Sequence, residues 1–194
     1  MHGLVNRAIQ LFTRDTYGPE VWEEVVQAAP LVTPDFEAML TYPDSQTGLA
    51  LETLSFRLDR ARDDLMEDIG TYLVSHPNTQ SLRRLLRFGG PTFTEFLDSL
   101  DELPGRIRMA VSDLVLPELD LRRSAPGHYS LRVTGTMPGW GHLMMGVIRA
   151  MADDYGALAM LEHKGRETGG EVIALQVVDT AFAEGRAFDL ARAG

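Results

Sequence analysis

The polar pattern HYSLRV at residues 128–133 offers the strongest candidate for chemistry in this sequence. A β-strand places alternate residues on one face, so His128, Ser130 and Arg132 would project together. A hydroxyl beside a planar guanidinium suits a carboxylate, since a charge-assisted hydrogen bond contributes about 1.5–3 kcal/mol. The competing interpretation is a polar strand face that meets only water. An apolar cavity beside this face would distinguish the two.

A second feature is a proline in the amphipathic pattern FLDSLDELPGRI at residues 96–107. The apolar residues recur at three- and four-residue steps, and Pro104 lies on the same inward face. In a helix interior, proline removes a hydrogen bond and costs about 3 kcal/mol or more. The pattern therefore predicts that a helix stops or kinks at Leu103 and that Pro104 and Gly105 begin a new segment.

Other patterns typical of enzymes or metal sites do not occur in the sequence. The five histidines lack zincin or zinc-finger spacing, and there is no phosphate-binding loop or nucleophile elbow. Adjacent carboxylates, as in Asp63–Asp64 and Asp153–Asp154, would point to different sides of a helix. The sequence gives no positive support for an enzyme.

The elements that must position these residues change character halfway along the chain. Helical patterns occupy 4–12, 19–29, 49–75, 81–88 and 92–103, and Thr92 with Glu95 forms a capping-box signature. Strand patterns follow at 114–121, 128–133, 157–163 and 171–178, with a helix pattern at 139–155. Pro117 makes the first of these an edge or irregular strand. This order predicts an α+β fold, in which a helical N-terminal lobe packs on a C-terminal antiparallel sheet with an inserted helix.

Composition narrows the classes of function. The chain has 194 residues, of which 44% are hydrophobic, and its formal net charge is -10. That negative charge repels phosphate backbones, so a nucleic-acid partner is not expected. Cysteine is absent, which excludes a disulfide scaffold, and no apolar run is long enough for a membrane span. Without a signal-peptide pattern, we expect a cytoplasmic protein.

Several stretches, taken in order, resemble the heme-nitric oxide/oxygen binding family (H-NOX or HNOB), which includes the heme domain of soluble guanylate cyclase. MHGLVNRAIQLF and YGPEVWEEV are similar to the family's N-terminus, FTEFLDSLDEL resembles its proximal helix, and GVIRAMADDYG resembles the helix that follows the sheet's first strands. The resemblance covers 1–180, expected to form a single domain, and leaves 181–194 as a tail that is a short helix or a frayed terminus. It implies a non-enzymatic signalling domain that regulates a separate histidine kinase or cyclase.

The resemblance also implies roles for individual residues. Ser130 and Arg132 match the family's heme-propionate anchors, and His128 stands where the family motif YxSxR has tyrosine. Pro117 resembles the proline that presses on the porphyrin.

On the distal side, the resemblance implies that Val5 and Leu143 line the pocket. Because no tyrosine stands at position 143, the hydrogen-bond donor linked with stable oxygen binding is missing. An intact member with this pocket would be expected to prefer nitric oxide.

The sequence departs from the family at Pro104. The family motif reads LDxLH, and its histidine ligates the heme iron, whereas this chain reads LDELP at 100–104. Proline has no donor for iron, so the resemblance implies that heme binding is weakened or absent and that the iron–histidine switch cannot operate. Met144 and Met145 are soft potential ligands, although core packing is the more common role of methionine.

Two functions remain open from the sequence. The first is a sensor domain with a degenerate site that holds heme weakly, or binds another apolar carboxylate such as a fatty acid or a different tetrapyrrole. The second is a heme-free interaction module whose pocket is filled by its own side chains. The second predicts no internal cavity and a protein carboxylate paired with Arg132.

Overall fold

The computed structural model describes residues 1–167 and 169–188, and the elements below belong to that part of the chain. The helices are α1 (Gly3–Tyr17), α2 (Pro19–Ala28), α3 (Asp44–Leu58), α4 (Arg62–Ser75), α5 (Gln80–Arg87), α6 (Phe93–Asp98), α7 (Leu103–Ala110) and α8 (Trp140–Tyr155). The strands are β1 (Glu118–Ala125), β2 (His128–Thr134), β3 (Leu158–Glu167) and β4 (Gly170–Asp179).

Local signals account for most of the helix boundaries. Helix α2 begins with Pro19, where a missing N–H is harmless. The capping box predicted at Thr92 and Glu95 is present in α6. The single helix pattern predicted over 49–75 is instead two helices, α3 and α4, because Asp59 adopts a left-handed conformation with φ 51°.

A new segment follows the predicted break and is a helix, but that helix begins at Leu103, one residue before the proline, and the interruption starts earlier than predicted. Helix α6 ends at Asp98, a 3₁₀ turn spans Leu100–Glu102, and α7 follows with Pro104 in its first turn. The first-turn N–H groups of a helix have no intrahelical acceptor, so proline is tolerated there.

The four strands form an antiparallel sheet in the order β1-β2-β4-β3. β1 is an edge strand, as Pro117 predicts, but it begins at Glu118, four residues after the predicted start at 114. β2, α8 and the β3–β4 hairpin lie close to their predicted positions. The helical lobe and the sheet confirm the predicted α+β fold.

Helices α4 and α8 pack with their backbones in direct contact. A Cβ added at Gly70 of α4 would overlap the carbonyl oxygen of Leu143, and one added at Gly146 of α8 would overlap the carbonyl oxygen of Glu67. Only glycine permits so close an approach from both sides. This contact fixes the inserted helix against the helical lobe.

A buried ion pair joins the other end of α8 to α5. Asp154 is 1% exposed, and its carboxylate accepts hydrogen bonds from Nε of Arg83 at 2.8 Å and from Nε of Arg87 at 2.6 Å. The Arg186 amide donates to the Asp154 carbonyl oxygen at 2.9 Å, which attaches this part of the tail to the end of α8. Residues 181–188 contain no helix. The rest of the predicted tail lies outside the described residues.

None of the described helices has the length and apolar character needed to span a membrane.

We predict that Gly146→Ala destabilises the protein by about 1–3 kcal/mol, because the added methyl group forces α4 and α8 apart. Gly48→Ala is the matched control, since Gly48 lies in α3 with nothing within 4 Å of an added Cβ. That control should raise the free energy of unfolding by about 0.5–1 kcal/mol through helix propensity. Urea denaturation measures both, and equal stability of the two variants would contradict the packing argument.

Candidate ligand-binding site

A cavity of about 550 Å³ lies between the helical lobe and the edge of the sheet. Its wall is built from α1, α4, α5, α7, the segment before β1 and the first turns of α8. Leu4, Ile69, Leu86, Ile107 and Val147 are examples of the apolar side chains that line it. Its volume lies in the range of about 300–1,000 Å³ typical of small-molecule sites.

Polar groups on the wall are few. Arg7 is the only charged side chain that lines the cavity within the described ranges. Neutral polar groups come from Asn78 and Thr79 in the 3₁₀ turn before α5 and from Ser81 in the first turn of α5. Arg7 donates a hydrogen bond from Nη1 to the Phe36 carbonyl oxygen at 3.2 Å. A mostly apolar wall with one cation favours an apolar ligand that carries an acidic group.

Four of the seven sequence-predicted site residues meet at this cavity. Val5 reaches it from α1, Pro104 from the first turn of α7, Pro117 from the segment before β1, and Leu143 from the first turn of α8. Both prolines are buried. These residues are far apart in sequence, so the fold brings them together.

The other three predicted residues are not brought to the cavity. On β2, Tyr129, Leu131 and Val133 are buried in the core, whereas the alternate positions are more exposed and lie on the opposite sheet face. His128, Ser130 and Arg132 therefore do not line this cavity, and their role as ligand anchors stays a prediction. The alternation is as predicted, but the face that turns toward the helices is the apolar one.

Contacts on the outer sheet face fit this placement. Nδ1 of His128 lies 3.0 Å from the Pro126 carbonyl oxygen. Arg132 forms an ion pair from Nη2 to Glu167 Oε2 at 3.2 Å. Sequence reasoning chose this arginine and missed Arg7, which sits among Leu4, Ala8 and Leu11 on one face of α1. A single arginine in an apolar helical stripe is the signal that would have found it.

Tyr72 contributes its ring to the wall, but its hydroxyl is engaged elsewhere. The hydroxyl donates to Asp15 Oδ2 at 2.6 Å. Burial, reinforced by this hydrogen bond, raises the pKa of Tyr72, while the same hydrogen bond lowers the pKa of the Asp15 carboxyl. The Tyr72 hydroxyl therefore stays protonated at neutral pH and remains the donor of the hydrogen bond to Asp15.

The wall offers few atoms that could ligate iron. Within the described part of the chain, no histidine lines the cavity. Thioether sulfur is available from Met66, Met137 and Met144, whereas Met145 is buried in the core away from the lining. Sulfur of this kind is a soft, weak donor compared with imidazole.

The fold and the cavity define an α+β domain whose helical lobe and sheet enclose a largely apolar site. The family model for "Haem-NO-binding" matches residues 2–163. Because this match spans most of the chain, the chain belongs to the Haem-NO-binding family, which confirms the resemblance seen in the sequence.

Solved structures show the same fold. The unliganded Fe(II) H-NOX protein from K. algicida has a TM-score of 0.79 and 19% sequence identity, and the match covers 97% of this chain and 100% of that chain. The H-NOX protein from S. oneidensis in its Fe(II)NO state has a TM-score of 0.76 and 14% identity, covering 92% of this chain and 100% of that one. At these identities the comparison establishes the fold alone.

Relatives among characterised proteins are longer. Soluble guanylate cyclase gcy-32 of Caenorhabditis elegans is 24% identical over 155 residues, which are 78% of this chain and 23% of that protein. Soluble guanylate cyclase 89Da of Drosophila melanogaster is 20% identical over 183 residues, or 92% of this chain and 27% of that protein. The chain thus spans about a quarter of the length of these cyclases.

Proposed function

We propose that this chain is a ligand-sensing signalling domain with a degenerate heme site, and that it regulates a separate histidine kinase or cyclase rather than catalysing a reaction itself. Membership of the Haem-NO-binding family and the match to part of several guanylate cyclases support a sensor role. The observation that carries the proposal is a donor-free proline on the wall of an otherwise suitable cavity.

The proline in question is Pro104. It is buried in the first turn of α7 and lines the cavity. The sequence resemblance implies that it stands at the position of the iron-ligating histidine in the family motif LDxLH. A proline within a chain has no side-chain donor atom for iron, because its nitrogen is part of the amide, and the lining within the described ranges holds no substitute imidazole. The residues present therefore do not fit a histidine-ligated heme, although the apolar enclosure suits a hydrophobic ligand.

Recognition of an acidic group would then depend on Arg7. An arginine has five N–H donors, so the bond to the Phe36 carbonyl oxygen leaves donor capacity for a carboxylate. A partly buried guanidinium at the edge of an apolar wall binds a carboxylate more strongly than in bulk water, because the wall lowers the local dielectric. The ligand class is an apolar carboxylate, namely a fatty acid or a tetrapyrrole held without an axial histidine.

A heme-free interaction module is the alternative. This hypothesis predicts a pocket that is filled by the protein's own side chains, and the cavity of about 550 Å³ argues against such filling. It also expects a protein carboxylate paired with Arg132, and Glu167 is such a partner. Because this pair lies on the outer sheet face, away from the cavity, it does not bear on whether the cavity binds a ligand.

We predict that Pro104→His creates an iron ligand. Hemin titrated into the wild-type protein should give a broad Soret band and weak binding, whereas the variant should give a sharp band typical of histidine ligation. Its affinity should rise at least about tenfold, since a gain of 1.4 kcal/mol suffices for that factor.

Arg108→His is the matched control, because Arg108 is exposed on the same helix and does not line the cavity. It adds a histidine to α7 without adding one to the wall. If wild type already shows a sharp histidine-type Soret band, or if the control gains affinity as Pro104→His does, the proposal fails.

We predict that Arg7→Gln weakens binding of palmitate and hemin by roughly 10- to 100-fold, the effect of removing one charge-assisted hydrogen bond. Trp140 lines the cavity, so quenching of tryptophan fluorescence reports occupancy. Arg132→Gln removes the same charge on the outer sheet face and should leave both affinities unchanged. If Arg132→Gln weakened binding and Arg7→Gln did not, the carboxylate anchor would be Arg132 on β2, and the role proposed for Arg7 would be wrong.

A further inference from the structure

Three side chains with metal-ligating atoms converge where α8 begins against the sheet, outside the cavity. His142 lies in the first turn of α8, His163 on β3 and Glu171 on β4. One donor atom from each lies within 4.8 Å of the other two. The three residues come from separate elements, so their convergence is a product of the tertiary fold.

We propose that His142, His163 and Glu171 form a binding site for a divalent transition-metal ion such as Zn²⁺. Two imidazoles with a carboxylate are a donor set that zinc accepts, and tetrahedral zinc has bonds of about 2.0–2.2 Å. Donors at that bond length lie about 3.4 Å apart, so the widest pair needs to close by at most about 1.4 Å.

The two imidazoles lie face to face, and one of them already contacts the carboxylate. Their rings are stacked, with centroids 4.1 Å apart and an interplanar angle of 21°. Nε2 of His163 lies 3.1 Å from Glu171 Oε2. Both histidine side chains are 19% exposed, which leaves an entry path for an ion.

The carboxylate is held rigidly. Glu171 has a side chain that is 7% exposed, and it accepts hydrogen bonds from the Gly139 amide at Oε1 and from the Gly141 amide at Oε2, at 2.9 and 3.0 Å. These amides open α8, so the carboxylate also caps the helix. A fixed anion of this kind lowers the reorganisation needed to bind a cation.

A glycine keeps the space between the donor atoms open. A Cβ added at Gly141 would lie 2.6 Å from Glu171 Oε2 and 2.9 Å from His163 Nε2. Any other residue at 141 would place its Cβ between the carboxylate and the imidazole. The absence of that side chain therefore leaves the donors facing a common space.

Asp63 at the start of α4 can complete the set. Its Oδ2 lies 3.5 Å from His142 Nε2, and its side chain is 61% exposed, so it can rotate inward. The nearest competing cation is Arg166, whose Nη2 lies 3.9 Å from Glu171 Oε1, the oxygen turned away from the histidines. With Asp63, the site has two nitrogen and two oxygen donors, which is a four-coordinate set for zinc.

Binding changes the tautomer of His163. The Gly165 amide donates to its Nδ1 at 3.2 Å, which places the ring proton on Nε2, facing Glu171. An ion on Nε2 moves that proton to Nδ1 and breaks the long contact with Gly165. Metal–ligand bonds then replace this contact and the 3.1 Å contact between His163 Nε2 and Glu171 Oε2.

The site adjoins the cavity through α8. His142 precedes Leu143, and Gly139 precedes Trp140, and both of these neighbours line the cavity. A bound ion would clamp the first turn of α8 to β3, β4 and α4. One wall of the cavity would become more rigid, although the metal site itself does not depend on what the cavity binds.

The test is a Co²⁺ titration of the full chain after treatment with a chelator, followed by Zn²⁺ competition. Wild type should develop visible d–d bands with one ion per chain, and Zn²⁺ should remove them and raise the Tm. His142→Ala and His163→Ala should each weaken Co²⁺ affinity by at least about 10–100-fold. Removing a group that only hydrogen-bonds to a metal ligand typically weakens metal affinity by that factor, and the two histidines are themselves ligands in the proposed site.

His128→Ala is the matched control, since His128 is an exposed histidine on the outer sheet face. It should bind Co²⁺ as wild type does. His142→Ala leaves Glu171 and its helix-capping bonds in place, so circular dichroism should show a folded protein. The proposal is overturned if wild type gives no d–d bands, or if the bands and the Zn²⁺-dependent Tm shift persist when both His142 and His163 are alanine.

Discussion

The direct contact between the backbones of α4 and α8 sets the positions on which the rest of the site depends. Gly70 and Gly146 permit this approach, and their reciprocal placement fixes both the distance and the register of the two helices. Neighbouring residues on both helices line the cavity, among them Ile69 and Val147. The same register brings Asp63 beside His142 at one end of the pair.

Charge is distributed around the cavity rather than within it. The buried carboxylate of Asp154 is matched by Arg83 and Arg87 behind the wall, and Glu171 is matched by amides and His163 at its side. Inside, the described lining leaves Arg7 as the one charged group. Since unpaired buried charges are costly, this arrangement keeps the cavity apolar while its frame is held by hydrogen-bonded ions.

Local signals allowed the sequence to predict most of the fold. The capping box at Thr92, the first-turn proline of α2 and the alternation along β2 are short-range patterns, and each is present in the structure. The break at Asp59 was missed because aspartate in a left-handed conformation lacks the signal that glycine gives. For the site, the alternation along β2 identified its two faces, but it could not show which of the two packs against the helices. The cluster of His142 and His163 was invisible because its members are distant in sequence.

At Pro104, the effect of the residue on the backbone can be distinguished from its effect on the chemistry of the cavity. Helix α6 ends at Asp98, and a 3₁₀ turn follows at Leu100–Glu102. Pro104 therefore lies in the first turn of α7, where a helix tolerates proline. The penalty of about 3 kcal/mol that proline carries in a helix interior does not apply. Many residues could begin α7 equally well, and backbone requirements do not decide among them. The consequence of proline at this position is therefore chemical, because a side chain without a donor atom occupies the part of the cavity wall that α7 supplies.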